Sequence, residues 1–131
     1  MSITSKSATA RYRYHPNAYQ FVFAALRYTQ QQLGRAAESA GDDDAHISGP
    51  ELLYGICDLA QEKFGLMTLS VFRNWGVRST DDFGRIVFEL IERGEMRKTD
   101  RDRLSDFFDV YDFDAMFDRG YRISTARAFQ A

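Results

Sequence analysis

The stretch from Ser48 to Gly65 constrains the fold more than any other part of the sequence, because it carries a complete set of helix signals. A serine stands three residues before Glu51, which is the spacing of a capping box, and Pro50 suits the first helical turn. Apolar residues then recur at three- and four-residue steps as far as Gly65, and glycine is a typical residue at the end of a helix. The sequence therefore predicts a helix that buries one face. Its predicted buried stripe comprises Leu52, Leu53, Ile56, Leu59, Ala60 and Phe64.

The same signals recur along the rest of the chain. Capping residues open further periodic segments, and glycines close most of them. We therefore expect a mainly α, compact single-domain bundle of five or six helices. The other predicted helices are Ala18 to Leu33 with Asn17 as N-cap, Thr68 to Trp75, a fourth from Ser79 or Thr80 to just before Gly94, a fifth capped by Thr99 with Leu104, Phe107, Phe108 and Tyr111 inward, and one more short turn from Asp112 to Asp118.

The two ends of the chain give weaker signals. Residues 1–10 are small and polar, which is typical of a disordered lead-in. Tyr12 to Tyr14 alternates aromatic and charged residues, the pattern of a half-buried strand. A short two-stranded pairing of the termini, between this segment and Tyr121 to Ile123, stays open. We expect the helical domain to span 11–123 and a C-terminal tail to follow at 124–131.

Composition and charge narrow the setting. The chain has 131 residues, and its single cysteine, Cys57, allows no intramolecular disulfide. We expect a cytoplasmic protein with no membrane segment, because no apolar run approaches the length of a membrane span. The net charge of −2 conceals a separation of basic and acidic residues along the chain. Residues 1–35 contain bases and no acids, and residues 36–62 contain acids and no bases. In 106–118 every charged residue is an aspartate. Such segregation either holds the fold together or leaves a basic face free for a partner.

Several motifs together resemble a family of small bacterial proteins of unknown function. They are HISGPEL from His46 to Leu52, Phe64-Gly65, the run WGVRSTDDFGRIVFELIERG from Trp75 to Gly94, Asp106-Phe107 and Tyr111-Asp112-Phe113. The chain departs from the family at Pro50, where Gln is common, and in the acidic insert at 41–44. The resemblance covers about Tyr12 to Tyr121 and implies one cooperative domain. It implies no catalytic or binding residues.

Most catalytic and cofactor chemistry lacks its sequence pattern. No CxxC or HExxH spacing is present, and the aspartates of 106–118 do not follow a calcium loop, so we expect no metal site. No glycine-rich loop suits a nucleotide, and no cofactor is expected. Cys57 falls inside the apolar stripe of its helix, which favours a buried structural thiol over a nucleophile.

One candidate pocket lies at the start of the Ser48 helix. The free N–H groups of a helix N-terminus attract anions, and His46 could act beside them as an acid or a base. Ser48 and Glu51 are explained equally well as a helix cap. The sequence favours the capping role, with a small enzyme using His46 and Glu51 as a remaining alternative.

Two further sets of residues are candidate binding surfaces. Cations interleaved with rings in the segment RYRY suit single-stranded nucleic acid, and a second basic cluster lies after the fourth helix. Aromatic residues off the main apolar stripes suit a protein partner when they are exposed, or fill a second core layer. The nucleic-acid candidates are Arg11, Tyr12, Arg13, Tyr14, Arg97, Lys98 and Arg101, and the main aromatic candidates are Phe23 and Phe88.

These candidates lead to three hypotheses for function. The first is a non-enzymatic adaptor domain that docks on a protein partner, since no catalytic constellation stands out. The second is an RNA- or ribosome-associated protein, although the acidic balance of the chain counts against it. The third is the small enzyme with its site near His46. The sequence leans away from an enzyme and leaves the oligomeric state open.

Overall fold

A computed structural model of the chain describes residues 1–3, 12–35 and 46–117. This part of the chain is mainly helical, which confirms the predicted fold class. Five α-helices are present in it: α1 (Pro16–Gln32), α2 (Gly49–Phe64), α3 (Thr68–Asn74), α4 (Thr80–Glu92) and α5 (Phe113–Phe117). Short 3-10 turns lie at Gly65–Met67 and Leu104–Phe107, and two short strands, β1 (Ser2–Ile3) and β2 (Met96–Arg97), complete the elements.

Helix α2 lies at the centre, in contact with α1, α3, α4 and both 3-10 turns. Its capping box forms as predicted, with the Ser48 and Glu51 side chains each accepting from the other's backbone N–H. Helix α1 packs along α2, and Gly55 makes this crossing close. A Cβ atom at this glycine would overlap the side chain of Thr29. A larger residue here would force the two helices apart.

An aromatic cluster forms the middle of the core, and Phe72 of α3 is its centre. The Phe72 side chain is fully buried, and its ring lies 5.1–6.0 Å from five neighbouring rings. These neighbours come from α1, α4, α5 and the end of α3, so the cluster ties separate elements together. The five rings belong to Phe21, Trp75, Phe83, Phe113 and Phe117.

The predicted strand at Tyr12 to Tyr14 is wrong. Backbone N–H groups of Arg13 and Tyr14 donate to the Tyr19 hydroxyl at 3.0 and 3.3 Å, so a side chain takes the donors that a strand partner would need. The two-stranded pairing lies elsewhere: β1 pairs antiparallel with β2, with Ile3 opposite Met96. Residues 121–123 lie outside the described residues.

The predicted N-cap of the first helix differs from the structure. Of the predicted lead-in, Met1 is buried at 2% exposure, while 4–10 and the predicted tail at 124–131 lie outside the described ranges. Helix α1 begins earlier than expected because His15, and not Asn17, caps it. The Nδ1 atom of His15 accepts from the Asn17 N–H at 3.1 Å.

The fifth helix predicted from Thr99 does not form. The Asp102 carboxylate accepts the Thr99 N–H at 2.9 Å, and the Asp106 carboxylate accepts the Arg103 N–H at 3.0 Å. Two successive side-chain turns therefore replace the start of a helix, and only Leu104–Phe107 coils as a 3-10 turn. Asp109 then takes a positive φ of 51°, which prevents continuation into α5.

In the described ranges, no helix has the length and apolarity needed to cross a membrane.

Candidate functional site

His46 is the centre of a polar network that joins three distant segments. Its Nδ1 atom lies 2.6 Å from the Met1 amino nitrogen, and its Nε2 atom lies 3.1 Å from Oδ1 of Asp102. The amino group also donates to the Ile47 carbonyl at 3.2 Å. Both ring nitrogens of His46 are therefore engaged, and neither is free to take a proton from a substrate while these contacts hold.

Asp102 is the acidic member of this network. It is 6% exposed, and its Oδ2 atom accepts from the Thr99 backbone and lies 3.7 Å from the Met1 amino nitrogen. Burial lowers the pKa of this amino group, against the opposing attraction of Asp102. Through its contact with His46, the Asp102 carboxylate thus links the loop after β2 to the segment before α2.

The other two residues of the predicted pocket, Ser48 and Glu51, act as a helix cap. The Glu51 carboxylate accepts the Ser48 N–H at 2.9 Å and lies 2.8 Å from Nη1 of Arg35. Burial alone would raise the pKa of the Glu51 carboxyl, but the hydrogen bonds from Ser48 and Arg35 outweigh it and lower the pKa. The Glu51 N–H at this helix start is also bonded within the protein, because it donates to the Ser48 hydroxyl oxygen.

A cavity of about 280 Å³ lies beside His46. It is lined by His46, Thr99, Asp100 and Arg101. The cavity shares only His46 with the predicted pocket, and it joins that residue to the predicted basic cluster through Arg101. Sequence spacing gave no sign of this, because the chain segments meet only in the folded structure.

The basic cluster keeps its charges exposed. The side chains of Arg97, Lys98, Arg101 and Arg103 are all exposed, and none forms an ion pair with another described residue. The nearest acid in sequence with an exposed side chain is Asp100, which lines the cavity. This segment is therefore a positively charged surface beside a concave site.

The RYRY segment, in contrast, is part of the fold. The Tyr12 ring lies 4.4 Å from the Tyr19 ring. The Arg93 guanidinium lies over the Tyr12 ring, 4.4 Å from the ring centroid. Arg13 lies 3.8 Å from Glu89. The packing of this segment weakens its interpretation as a stacking platform, because its rings already have partners; Arg11 lies outside the described residues.

Tyr14 is tied to the start of α4. Its hydroxyl donates to Oδ1 of Asp82 at 2.6 Å. Burial and this neighbouring carboxylate raise the pKa of the Tyr14 hydroxyl to about 12. Tyr14 therefore holds the segment before α1 against α4.

The predicted aromatic docking residues occupy a second layer of the core. Phe23 and Phe88 are half-buried against it, and the Phe88 ring makes an edge contact with Phe107 at 6.4 Å. Of the two alternatives left open by the sequence, the structure therefore favours core packing over an exposed patch.

The exposed apolar side chains lie elsewhere. Leu66 and Met67 are neighbours in the 3-10 turn between α2 and α3, and they are 69% and 60% exposed. We call these two residues the apolar corner. The corner was not predicted from the sequence, although a signal existed: two large apolar residues directly follow Gly65, outside any helical stripe. Phe108 is also exposed, at 44%.

Hydrogen bonds hold the corner in one shape. Gly65 takes a φ of 51°, which favours glycine, and turns the chain out of α2. The fully buried Thr68 then donates its hydroxyl to the Gly65 carbonyl at 2.8 Å. The same hydroxyl oxygen lies 3.2 Å from the Ala60 carbonyl oxygen. The corner is therefore a fixed turn that presents two apolar side chains to water.

Cys57 and the carboxylates do not form reactive centres in the described part of the chain. Cys57 is 1% exposed, and burial raises the pKa of its thiol to about 12. The structural role predicted for this cysteine is thus supported. Within residues 1–3, 12–35 and 46–117, no group of three His, Cys, Asp or Glu side chains is placed to hold a metal ion.

Comparisons with protein-family models, with curated proteins and with solved structures found no match to this chain. The resemblance to small bacterial proteins therefore stays an expectation from the motifs. Any function must be argued from the geometry of the chain itself.

Proposed function

We propose that this domain is a non-enzymatic interaction module that docks on a protein partner through the apolar corner. The observation that carries the proposal is the exposure of two adjacent large apolar side chains, Leu66 and Met67, on a turn held by Thr68. Single exposed apolar residues are common, whereas contiguous exposed apolar surface marks contact sites.

The surroundings of the corner have the layout of a small interface. Phe64 and Leu69 are half-buried on either side of it and extend the apolar centre. Glu62 and Lys63 are exposed next to that centre and provide a charged rim of both signs. An apolar centre within a polar rim is the usual composition of a transient protein interface.

The rigidity of the turn favours docking. A partner that binds a preformed turn does not have to order the backbone, so less of the contact free energy is lost on association. Methionine adapts to the shape of a partner because its unbranched side chain is flexible and polarizable. We infer a partner that presents an apolar groove or helix face. A cytoplasmic setting suits such a module, whose one cysteine is buried and unpaired.

The test compares the wild-type chain with the double variant Leu66→Gln/Met67→Gln. Both substitutions lie on the surface, so we expect the free energy of unfolding to change by no more than about 0.5 kcal/mol for each. Tagged wild-type chain is crosslinked in its host lysate, the captured partner is identified and purified, and its affinity is then measured for each variant. We expect the double variant to lose at least about tenfold in affinity, as for an interface hot spot.

The matched control is Phe108→Gln, which removes an exposed apolar side chain from a different part of the surface. It should retain the partner at wild-type affinity. Equal affinity of wild type and double variant for the purified partner would refute the proposal. Self-association of the purified chain that the double variant abolishes would also refute it, because the corner would then bind a second copy.

A further inference from the structure

We propose that the cavity beside His46 binds the phosphate group of a small ligand. Arg101 supplies the principal charge, and the Thr99 hydroxyl donates a hydrogen bond. This inference goes beyond the docking function and does not depend on it, because the cavity and the apolar corner belong to different elements.

The chain segment that carries Thr99, Asp100 and Arg101 of the cavity lining has a net positive charge, which favours an anion. Arg97, Lys98, Arg101 and Arg103 are exposed within one short segment and have no ion-pair partner in the described ranges. Two of the acids nearby are engaged: Asp102 bonds His46 and the Thr99 backbone, and Asp106 caps the Arg103 N–H. Asp100 is exposed, and Glu95 has a buried Oε2 atom without a hydrogen-bond partner among the described residues. Positive charge around a concave site concentrates anions there.

Two groups of the lining can bind a phosphate directly. The Arg101 guanidinium is exposed and has donors whose geometry matches the oxygens of a phosphate. The Thr99 oxygen accepts from the Arg101 N–H at 3.2 Å, so its own hydrogen is left to donate. No acceptor for that hydrogen is present among the described residues. His46 has both ring nitrogens engaged and contributes shape to the wall of the cavity.

The loop that carries these groups is preformed. The Asp102 carboxylate accepts the Thr99 N–H, and the Asp102 N–H donates to the Thr99 carbonyl at 3.1 Å. Because these bonds fix residues 99–102 without a ligand, binding does not have to order the backbone. The volume of about 280 Å³ lies just below the usual range for small-molecule sites, about 300–1,000 Å³. The site therefore suits a small phosphorylated molecule rather than a long polymer.

Asp100 makes it possible to test whether the ligand is an anion or a cation. Its carboxylate lines the cavity and repels an anion, so its neutralisation should tighten phosphate binding. A ligand that carries an ammonium group would show the opposite response, since it would lose an attractive partner. The variants Arg101→Ala and Asp100→Asn therefore separate an anionic ligand from a cationic or zwitterionic one.

The experiment titrates pyrophosphate into the whole chain by isothermal calorimetry at low ionic strength. We expect saturable binding, a loss of about tenfold in affinity for Arg101→Ala, and a gain for Asp100→Asn. The matched control is Arg78→Ala, another exposed arginine. Arg78 precedes α4 whereas the basic segment follows it, and the helix of 13 residues separates the two ends by about 20 Å. This control should bind as the wild type does, and all variants should keep the wild-type melting temperature.

A second arm separates a small phosphate ligand from a nucleic-acid backbone. A fluorescent single-stranded oligonucleotide is added, and pyrophosphate is tested as a competitor. Displacement of any bound oligonucleotide by pyrophosphate, or no oligonucleotide binding, agrees with the cavity site. Oligonucleotide binding that pyrophosphate does not displace would overturn the proposal, as would weaker binding by Asp100→Asn or no saturable pyrophosphate binding at millimolar concentration.

Discussion

The imidazole of His46 lies 3.1 Å from the carboxylate of Asp102, and this contact joins the segment before α2 to the loop after β2. The two residues are far apart in sequence, and neither lies in a helix. The Met1 amino group contacts both of them. The first residue, the His46 segment and the Asp102 loop are thereby held together at one place.

Truncation of Asp102 should destabilise the fold. Asp102→Ala removes the acceptor of the partly buried Thr99 N–H and the partner of His46, and it leaves these donors without a bond. We expect the free energy of unfolding, measured by urea titration, to fall by about 1–3 kcal/mol. The control is Asp100→Ala, an exposed acid in the same loop, which should change it by less than about 0.5 kcal/mol. Equal effects of the two variants would show that the network contributes nothing to stability.

Introduction of a methyl group at Gly55 should separate α1 from α2. Gly→Ala within a helix normally stabilises by about 1 kcal/mol, but the new Cβ would overlap the Thr29 side chain. We therefore expect Gly55→Ala to lower the free energy of unfolding by about 1–3 kcal/mol. In a Thr29→Ala background the same change should cost less, because the overlapping atoms are gone. A double-mutant cycle by chemical denaturation measures this coupling, and additive effects would contradict the close crossing.

The sequence predicted the helices best where local signals agree with one another. Helix α2 forms as expected because its capping box, its proline and its apolar stripe all lie within the helix itself. The region after Thr99 was predicted incorrectly because Asp102 and Asp106 offer the backbone a competing set of hydrogen bonds. A helix start and a pair of side-chain turns use similar residues, and tertiary contacts decide between them.

The candidate site could be predicted only in part, for a related reason. The sequence pointed to His46 together with Ser48 and Glu51, but its contacts with Met1 and Asp102 come from segments with no local link to it. The pairing of β1 with β2 likewise joins two segments more than 90 residues apart without a sequence signal. The sequence left open whether Phe88 is exposed or lies in a second layer of the core. Its contact with Phe107 in the folded structure favours the core position.

Phe88 should therefore behave as a core residue. Phe88→Ala removes the contact with Phe107 and opens a gap beside the second 3-10 turn. We expect a loss of about 1–3 kcal/mol in the free energy of unfolding, below the roughly 3–5 kcal/mol typical of a fully buried phenylalanine. Phe108→Ala, which truncates an exposed ring, should cost much less in the same denaturation assay. A neutral Phe88→Ala variant would restore the exposed-patch interpretation.

The cap of α2 should give the protein a specific loss of stability in acid. The pKa of Glu51 is lowered from its usual value of 4.5, so the ionised carboxylate stabilises the fold above that pH. This contribution is lost as the pH falls through the lowered pKa, because the carboxylate that accepts from Ser48 and Arg35 then becomes protonated. We expect Glu51→Gln to be less stable than wild type at pH 7, and the difference to shrink as the pH falls below 4.5. Glu62→Gln, an exposed change on the same helix, should show no such convergence in urea titrations at each pH. Parallel stability profiles for wild type and Glu51→Gln across this range would mean that the ionised carboxylate does not stabilise the cap.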